Sequence, residues 1–467
     1  MNFLDQNILL PIYNDYLKAF DKCRKIDDLY SNLMGVVFHE IMYFTSCIVY
    51  DKYWYNNDSN IEYPFLGHRA HKYSSLNKQY PVSNKRKAIS LFSKYVSKSD
   101  YNIAILNPSV DINKLVKLLL KNKIQFIFPS ATQITIPHFE EQIFILEYTL
   151  KNIWDKYELG NNFYDFIKAV KISYKALNKR NINYRYDLLL TGSPVKIPVR
   201  IEAINALTKN IPTICIDHGN ETGTEDNPAW GYDEQSYCSH FIGYGSAGVR
   251  AIENGKYLQS LFNNNPKYIE SNSTFIKNIY NPDKIQILRK DISKLKLAYI
   301  PVKFMGIQRV GPYLSISDED YLEWQKYIFK HIKNLDYKAH PKQRNKYEFD
   351  NIKIVRDSLE SCVNRYDCFV TDNVVSTAFT NIAATNKAII YFNIGFGNLT
   401  ECAEKVIRQR VIWIDVDISN PGSLLEKIEK RIDKKLINNY TKQFSIAGHS
   451  DDREETIIKT IKSIMAK

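Results

Sequence analysis

Two doubly wound α/β domains facing each other across a cleft are the fold this sequence predicts, and three observations predict it. Short β-branched runs alternate with amphipathic helical segments, the pattern of parallel sheets covered by helices. At 467 residues the chain exceeds one ordinary core and suits two α/β domains of roughly 200 residues each. A polar, irregular stretch at 263–291, with Asn-Pro at 265–266 and 281–282, divides the series. We therefore expect an N-terminal Rossmann-like domain over 1–285 and a C-terminal one over 286–467 that ends in helices.

The first series begins with residues 102–106 (NIAIL), a buried strand, followed by a helix at 111–122 (DINKLVKLLLKN) and a strand at 124–128 (IQFIF). This is a compact βαβ unit. Helical stretches follow at 139–157 and 162–177. A strand at 187–190 (DLLL) enters the turn Thr191-Gly192-Ser193-Pro194, and a helix at 199–208 returns to a strand at 213–216. A strand at 240–244 and a helix from 246 close the set. The second series places strands at 296–301, 336–339, 352–355, 368–371, 388–392 and 411–416. Helices are expected at 318–333, 358–364, 376–385, 422–437 and 452–465. No internal repeat of solenoid period is present.

Composition narrows the function classes. Hydrophobic residues make up 44% and charged residues 24%, a soluble globular profile. The 33 tyrosines accompany abundant Asn, Lys and Ile and read as a compositional bias of the source. The nearest approach to a membrane span, residues 41–50, is short and interrupted by Thr45 and Ser46. The first residues lack the basic head, apolar centre and cleavage site of a signal peptide. Seven cysteines without any C-x-x-C pair argue against structural zinc and a disulfide framework, so a reducing cytoplasm is expected. The net charge of +12 suits a solvated Lys-rich surface, a peripheral contact with the inner membrane face, or an acidic glycan acceptor. No nucleic-acid-binding module is recognisable, so no nucleic acid partner is expected.

Doubly wound domains bind ligands beyond the carboxyl ends of their strands, and three polar clusters fall there. Lys338-Ala339-His340-Pro341-Lys342-Gln343-Arg344 follows a strand. Pro341 biases His340 toward extended backbone, and the surrounding cations suit a phosphate. In Thr371-Asp372-Asn373-Val374-Val375-Ser376-Thr377, a strand runs into a polar turn and Ser376 and Thr377 open a helix. That is both an N-cap and an anion site, with Asp372 and Asn373 holding the loop, so Lys338, His340, Pro341, Asp372, Asn373, Ser376 and Thr377 are the expected donor-binding residues. Asp217-His218-Gly219-Asn220-Glu221 follows a strand of the first domain, with Glu225 and Asp226 close behind. Asp217, His218 and Glu221 are the candidate general bases for transfer to a hydroxyl. Minor candidates are Gly306 to Gly311 with Arg309, the turn at Gly395 to Gly397, and Gly243-x-Gly245-x-x-Gly248, whose downstream context does not suit a dinucleotide. No convincing Asp-x-Asp metal motif is found at a strand end, so no metal or resident cofactor is expected.

His-Gly after a first-domain strand, His-Pro after a second-domain strand and Ser/Thr at a helix start resemble GT-B glycosyltransferases of bacterial surface polysaccharide assembly. Over 187–416 the order is similar to sialyl-, polysialyl- and Kdo-transferases, which use CMP-sugars. That resemblance implies phosphate binding by His340, Ser376 and Thr377, and a carboxylate base at Asp217 or Glu221. CDP-glycerol-type polyol-phosphate transferases have a comparable layout, which would put the base at His218. Asp217 is followed by His218 and not directly by Gly, and Thr377 stands where a second Ser is common in the family. The implied co-substrate is a nucleotide sugar, and the implied acceptor a glycan or lipid-linked glycan. A non-catalytic glycan-binding scaffold is the alternative from another class.

Overall fold

The computed structural model describes residues 8–26, 28–54, 83–97, 101–106, 110–129, 136, 138–178, 185–194, 197–217, 219, 222–226, 234–254, 266–280, 285, 292–302, 316, 318–340, 349 and 352–466. Among them are two six-stranded parallel sheets. The first holds β1 (Asn102–Leu106), β2 (Gln125–Ile127), β3 (Leu188–Thr191), β4 (Thr213–Ile216), β5 (His240–Tyr244) and β6 (Lys267–Ser271), in the order β2-β1-β3-β4-β5-β6. The second holds β7 (Leu297–Ile300), β8 (Leu335–Lys338), β9 (Ile354–Val355), β10 (Cys368–Thr371), β11 (Ala388–Asn393) and β12 (Ile412–Asp415), in the order β12-β11-β10-β7-β8-β9.

Each sheet is buried on both faces, which is why its strands read as apolar runs without polar alternation. Ile103, Ile105, Leu188 and Leu190 pack against helices Ile112–Lys121 and Arg453–Met465. Ala104, Leu106 and Leu189 face a helical layer that includes Leu10–Ile26, Asp28–Trp54 and Phe139–Lys156. Residues 41–50 lie inside helix Asp28–Trp54, where Ile41, Ile48 and Val49 are buried in this layer. Among the described residues no helix is long and apolar enough to cross a membrane. In the second sheet, Tyr299, Val370 and Ile390 face helix Asp318–His331, while Phe369, Ile389 and Trp413 face helices Thr377–Ala383 and Glu401–Arg410.

The strand expectations hold with shifts of a residue or two, but the stretch at 263–291 does not behave as a plain connector. Within it, β6 pairs in parallel with β5 and extends the first sheet, and helix Thr274–Ile279 follows. β6 has the burial pattern of an edge strand, exposed at Lys267 and fully buried only at Ser271, so it lacks the apolar run that marks the central strands. The helix expected at 422–437 is shorter, Leu424–Glu429, and Glu401–Arg410 and Asn439–Phe444 are additional helices.

The chain crosses back at its end. Asn439–Phe444 packs in the core of the second sheet, whereas Ile457, Ile458 and Ile461 of the last helix are buried in the core of the first. Asn272, just after β6, pins the crossing. Its side-chain amide donates to the carbonyls of His449 (2.8 Å) and Asp451 (2.7 Å), and its carbonyl oxygen accepts from Ala447 N (2.8 Å).

Candidate functional site at the strand ends

Read from its own first strand, the second sheet has the order 3-2-1-4-5-6, with the reversal between β7 and β10. In such sheets the crevice opens outside the carboxyl ends of the two strands at the reversal. Its floor is built from backbone and aromatic hydroxyls. Thr371 Oγ1 donates to Ile300 O at 2.9 Å, tying the end of β10 to that of β7. Tyr321 OH accepts from Val302 N at 3.0 Å, holding the chain that leaves β7, and it donates to Asp372 at 3.1 Å.

Asp372, expected to contact the donor, does something else. Its carboxylate is fully buried and accepts from Tyr299 OH, Tyr321 OH and Trp324 Nε1 (3.1 Å). Burial pushes it up to about 6, against the opposing pull of those three donors. Three donors hold it as a buried strut at the end of β10. Asn373 holds the loop as expected, with Oδ1 accepting from Val375 N at 2.9 Å. Ser376 Oγ accepts from Phe379 N at 3.0 Å, an N-cap that leaves its O–H proton to donate elsewhere. Thr377 is exposed, and its helix, Thr377–Ala383, has only seven residues.

On the other side of β7, β8 ends at Lys338, and half-buried His340 stands two residues beyond it. β8, β7 and β10 are adjacent, so His340 and Ser376 rise from the same sheet edge, from strands roughly 10 Å apart. Lys338 is 7% exposed and its ammonium donates to Ala339 O at 3.1 Å. Burial lowers its pKa, opposed by Cys362, Glu360 and Asp357 nearby. A desolvated lysine gains by pairing with an anion. Pro341, Lys342 and Arg344, like Gly306, Arg309 and Gly311, lie outside the described residues.

In the first sheet, Asp217 directly follows β4 and is 1% exposed. Its Oδ1 accepts from Gly219 N at 3.0 Å, bracketing position 218. Arg453, first residue of the last helix, donates to Asp217 O at 3.4 Å and lies 4.0 Å over the Tyr244 ring. Burial pushes Arg453 down to about 10, with Asp217 and Glu454 opposing. Asp217, a candidate base in the sequence, thus braces the turn after β4 from a buried position. His218 and Glu221 lie outside the described residues.

The two sheets' carboxyl edges meet where the loops after β4 and β11 join. Asp226 N donates to Asn398 O (2.8 Å), Thr400 N to Thr224 O (3.0 Å), and Thr400 Oγ1 to Gly223 O (2.9 Å). The Tyr440 hydroxyl lies 3.4 Å from both Thr224 Oγ1 and Thr380 Oγ1, linking the β4 loop to the helix after β10. The glycine-rich turn after β5 serves this junction. A Cβ on Gly245 (φ +59°) would stand 2.4 Å from Phe444 C, and one on Gly223 (φ +86°) 2.4 Å from Gly248 O. Gly245 permits backbone-to-backbone approach between the lobes, and Gly223 a like approach of the β4 loop to the helix after β5 within the first lobe. Tyr440, Arg453 and Asn272 were not legible as site-building residues, because their roles depend on the returning chain end.

Among the described residues no group of three or more His, Cys, Asp or Glu side chains could hold a metal ion. What the fold and edge define is an α/β protein of two doubly wound sheets with polar residues at the strand ends. No protein-family model matches the chain, and no curated protein is significantly similar to it.

Proposed function

We propose that this protein is a GT-B glycosyltransferase that moves a sugar, an acidic one from a CMP donor, onto a surface or lipid-linked glycan. The observation that carries the reading is the single sheet edge on which His340, buried Lys338 and the Ser376 hydroxyl flank the β7/β10 reversal. There His340 and Ser376 donate to the donor phosphate, and Lys338 offsets the charge of the leaving nucleotide. The acceptor hydroxyl attacks the anomeric carbon, the bond from that carbon to the phosphate oxygen breaks, and CMP leaves with the electron pair. The hydroxyl proton passes to a base on the β4 loop.

The burial of Asp217 shifts that base toward His218 or Glu221, and it favours a second reading. In polyol-phosphate transfer the acceptor hydroxyl attacks phosphorus and CMP is again released. Both readings predict CMP release; glycerol or ribitol phosphate in the product separates them.

The test is a thermal-shift screen of CMP, CDP, UDP and GDP. A cytidine nucleotide is expected to raise the melting temperature, and His340→Ala to weaken that binding about tenfold or more, the cost of one charge-assisted hydrogen bond. No stabilisation by any of the four would overturn the proposal.

A further inference from the structure

Helix Asn84–Val96 sits the wrong way round for a core helix. It lies along β2, the edge strand of the first sheet, and holds on through serines. Ser93, completely buried, donates from Oγ to Phe126 O (3.1 Å) and accepts from Phe126 N (3.3 Å), and Ser97 Oγ donates to Lys123 O (2.9 Å). Three of its large apolar residues face out, Leu91, Phe92 and Tyr95 being 63%, 56% and 86% exposed, while Ile89 packs against the sheet's core. At about 100° per residue these three and Ala88 form one stripe roughly opposite Ser93. Exposed Lys87 and Lys94 flank it on one side and Lys85 on the other, with Arg86 also exposed. No Asp or Glu occurs from Ser83 to Ser99.

We propose that this helix docks the protein on an anionic lipid bilayer, lying in the plane of the interface. An apolar stripe bordered by cations is the arrangement that enters the headgroup boundary while the ammonium groups stay among lipid phosphates. A second copy of this face fits poorly, since stacking the two would bring their cations together without acidic partners. A soluble acidic glycan would meet the cations but gain nothing from Leu91 and Phe92. The inference is independent of the transfer reaction.

The test is sedimentation of the full chain with vesicles of phosphatidylcholine alone or mixed equally with phosphatidylglycerol. Binding to the anionic vesicles is expected to be at least about tenfold stronger and to fall with added salt. Phe92→Ser/Tyr95→Ser should reduce it about tenfold or more with little change in melting temperature, because both side chains are more than half exposed. Lys87→Gln/Lys94→Gln should weaken binding to the anionic vesicles and leave the neutral ones unaffected. Equal binding to both vesicles, or an apolar double variant that binds like the parent, would overturn the proposal. So would a dimer in light scattering that the apolar variant dissolves, or an anionic polysaccharide bound as tightly as the vesicles.

Discussion

Asp372 contributes an acid-dependent stability of its own. Its carboxyl titrates near 6 in the folded protein against an ordinary value of 3.8. Between those values the folded state holds the proton more tightly than the unfolded chain. The contribution is therefore complete below the unfolded value and is lost as pH rises through about 6. Relative to Asp372→Asn, which cannot titrate, the parent should gain about 2 kcal/mol between pH 7 and pH 4, read from urea midpoints across that range. A parent and variant that keep a constant difference would show that this carboxylate is not desolvated. Arg410 is a second buried charge with a structural task. Fully buried, it donates to Ala383 O, Thr385 O and Lys387 O at 2.9 Å each, closing the end of the helix that begins at Thr377. Arg410→Met should cost about 3 kcal/mol in chemical denaturation, because Thr385 O and Lys387 O would lose the guanidinium as donor, while Ala383 O keeps only Asn438 Nδ2 (2.7 Å).

At the scale of elements, the doubly wound sheets were legible because both faces of each strand are buried, leaving short apolar runs between amphipathic helices. Ile112–Lys121 was readable to its ends, since Asp111 caps it by accepting from Asn113 N and Lys114 N. Edge strand β6 was not, because half-buried Tyr268, Ile269 and Glu270 carry no such run. Helix Glu401–Arg410 was missed because its charged residues dilute a face carried by Ala403, Val406 and Ile407. At the site, the strand-end position of His340 and the cap at Ser376 could be read locally, whereas the burial of Asp217 and Asp372 depends on residues far away in the chain. The turn after β5 shows the same dependence. Gly245→Ala should cost about 2 kcal/mol or more, as a lowered melting temperature, since the added carbon meets the Phe444 backbone and the residue keeps a positive φ.

At the scale of the whole molecule, the returning chain end joins the lobes through a few buried polar contacts. Asn272→Ala removes three hydrogen bonds to the crossing segment and should destabilise the protein by about 2–3 kcal/mol. Limited proteolysis should then cut within 445–452 sooner than in the parent. An unchanged cleavage rate would mean that the last helix, with Ile457, Ile458 and Ile461, holds the crossing without help.

Those three isoleucines also govern the order of biogenesis. A nascent chain that has delivered β1 to β6 still lacks one of the two helices that cover one face of that sheet, because residues 453–465 are translated after the whole of the second sheet. The amino-terminal lobe must therefore wait, its apolar flank open, until the ribosome has finished the other lobe. Holdase chaperones should meet the growing polypeptide over that interval.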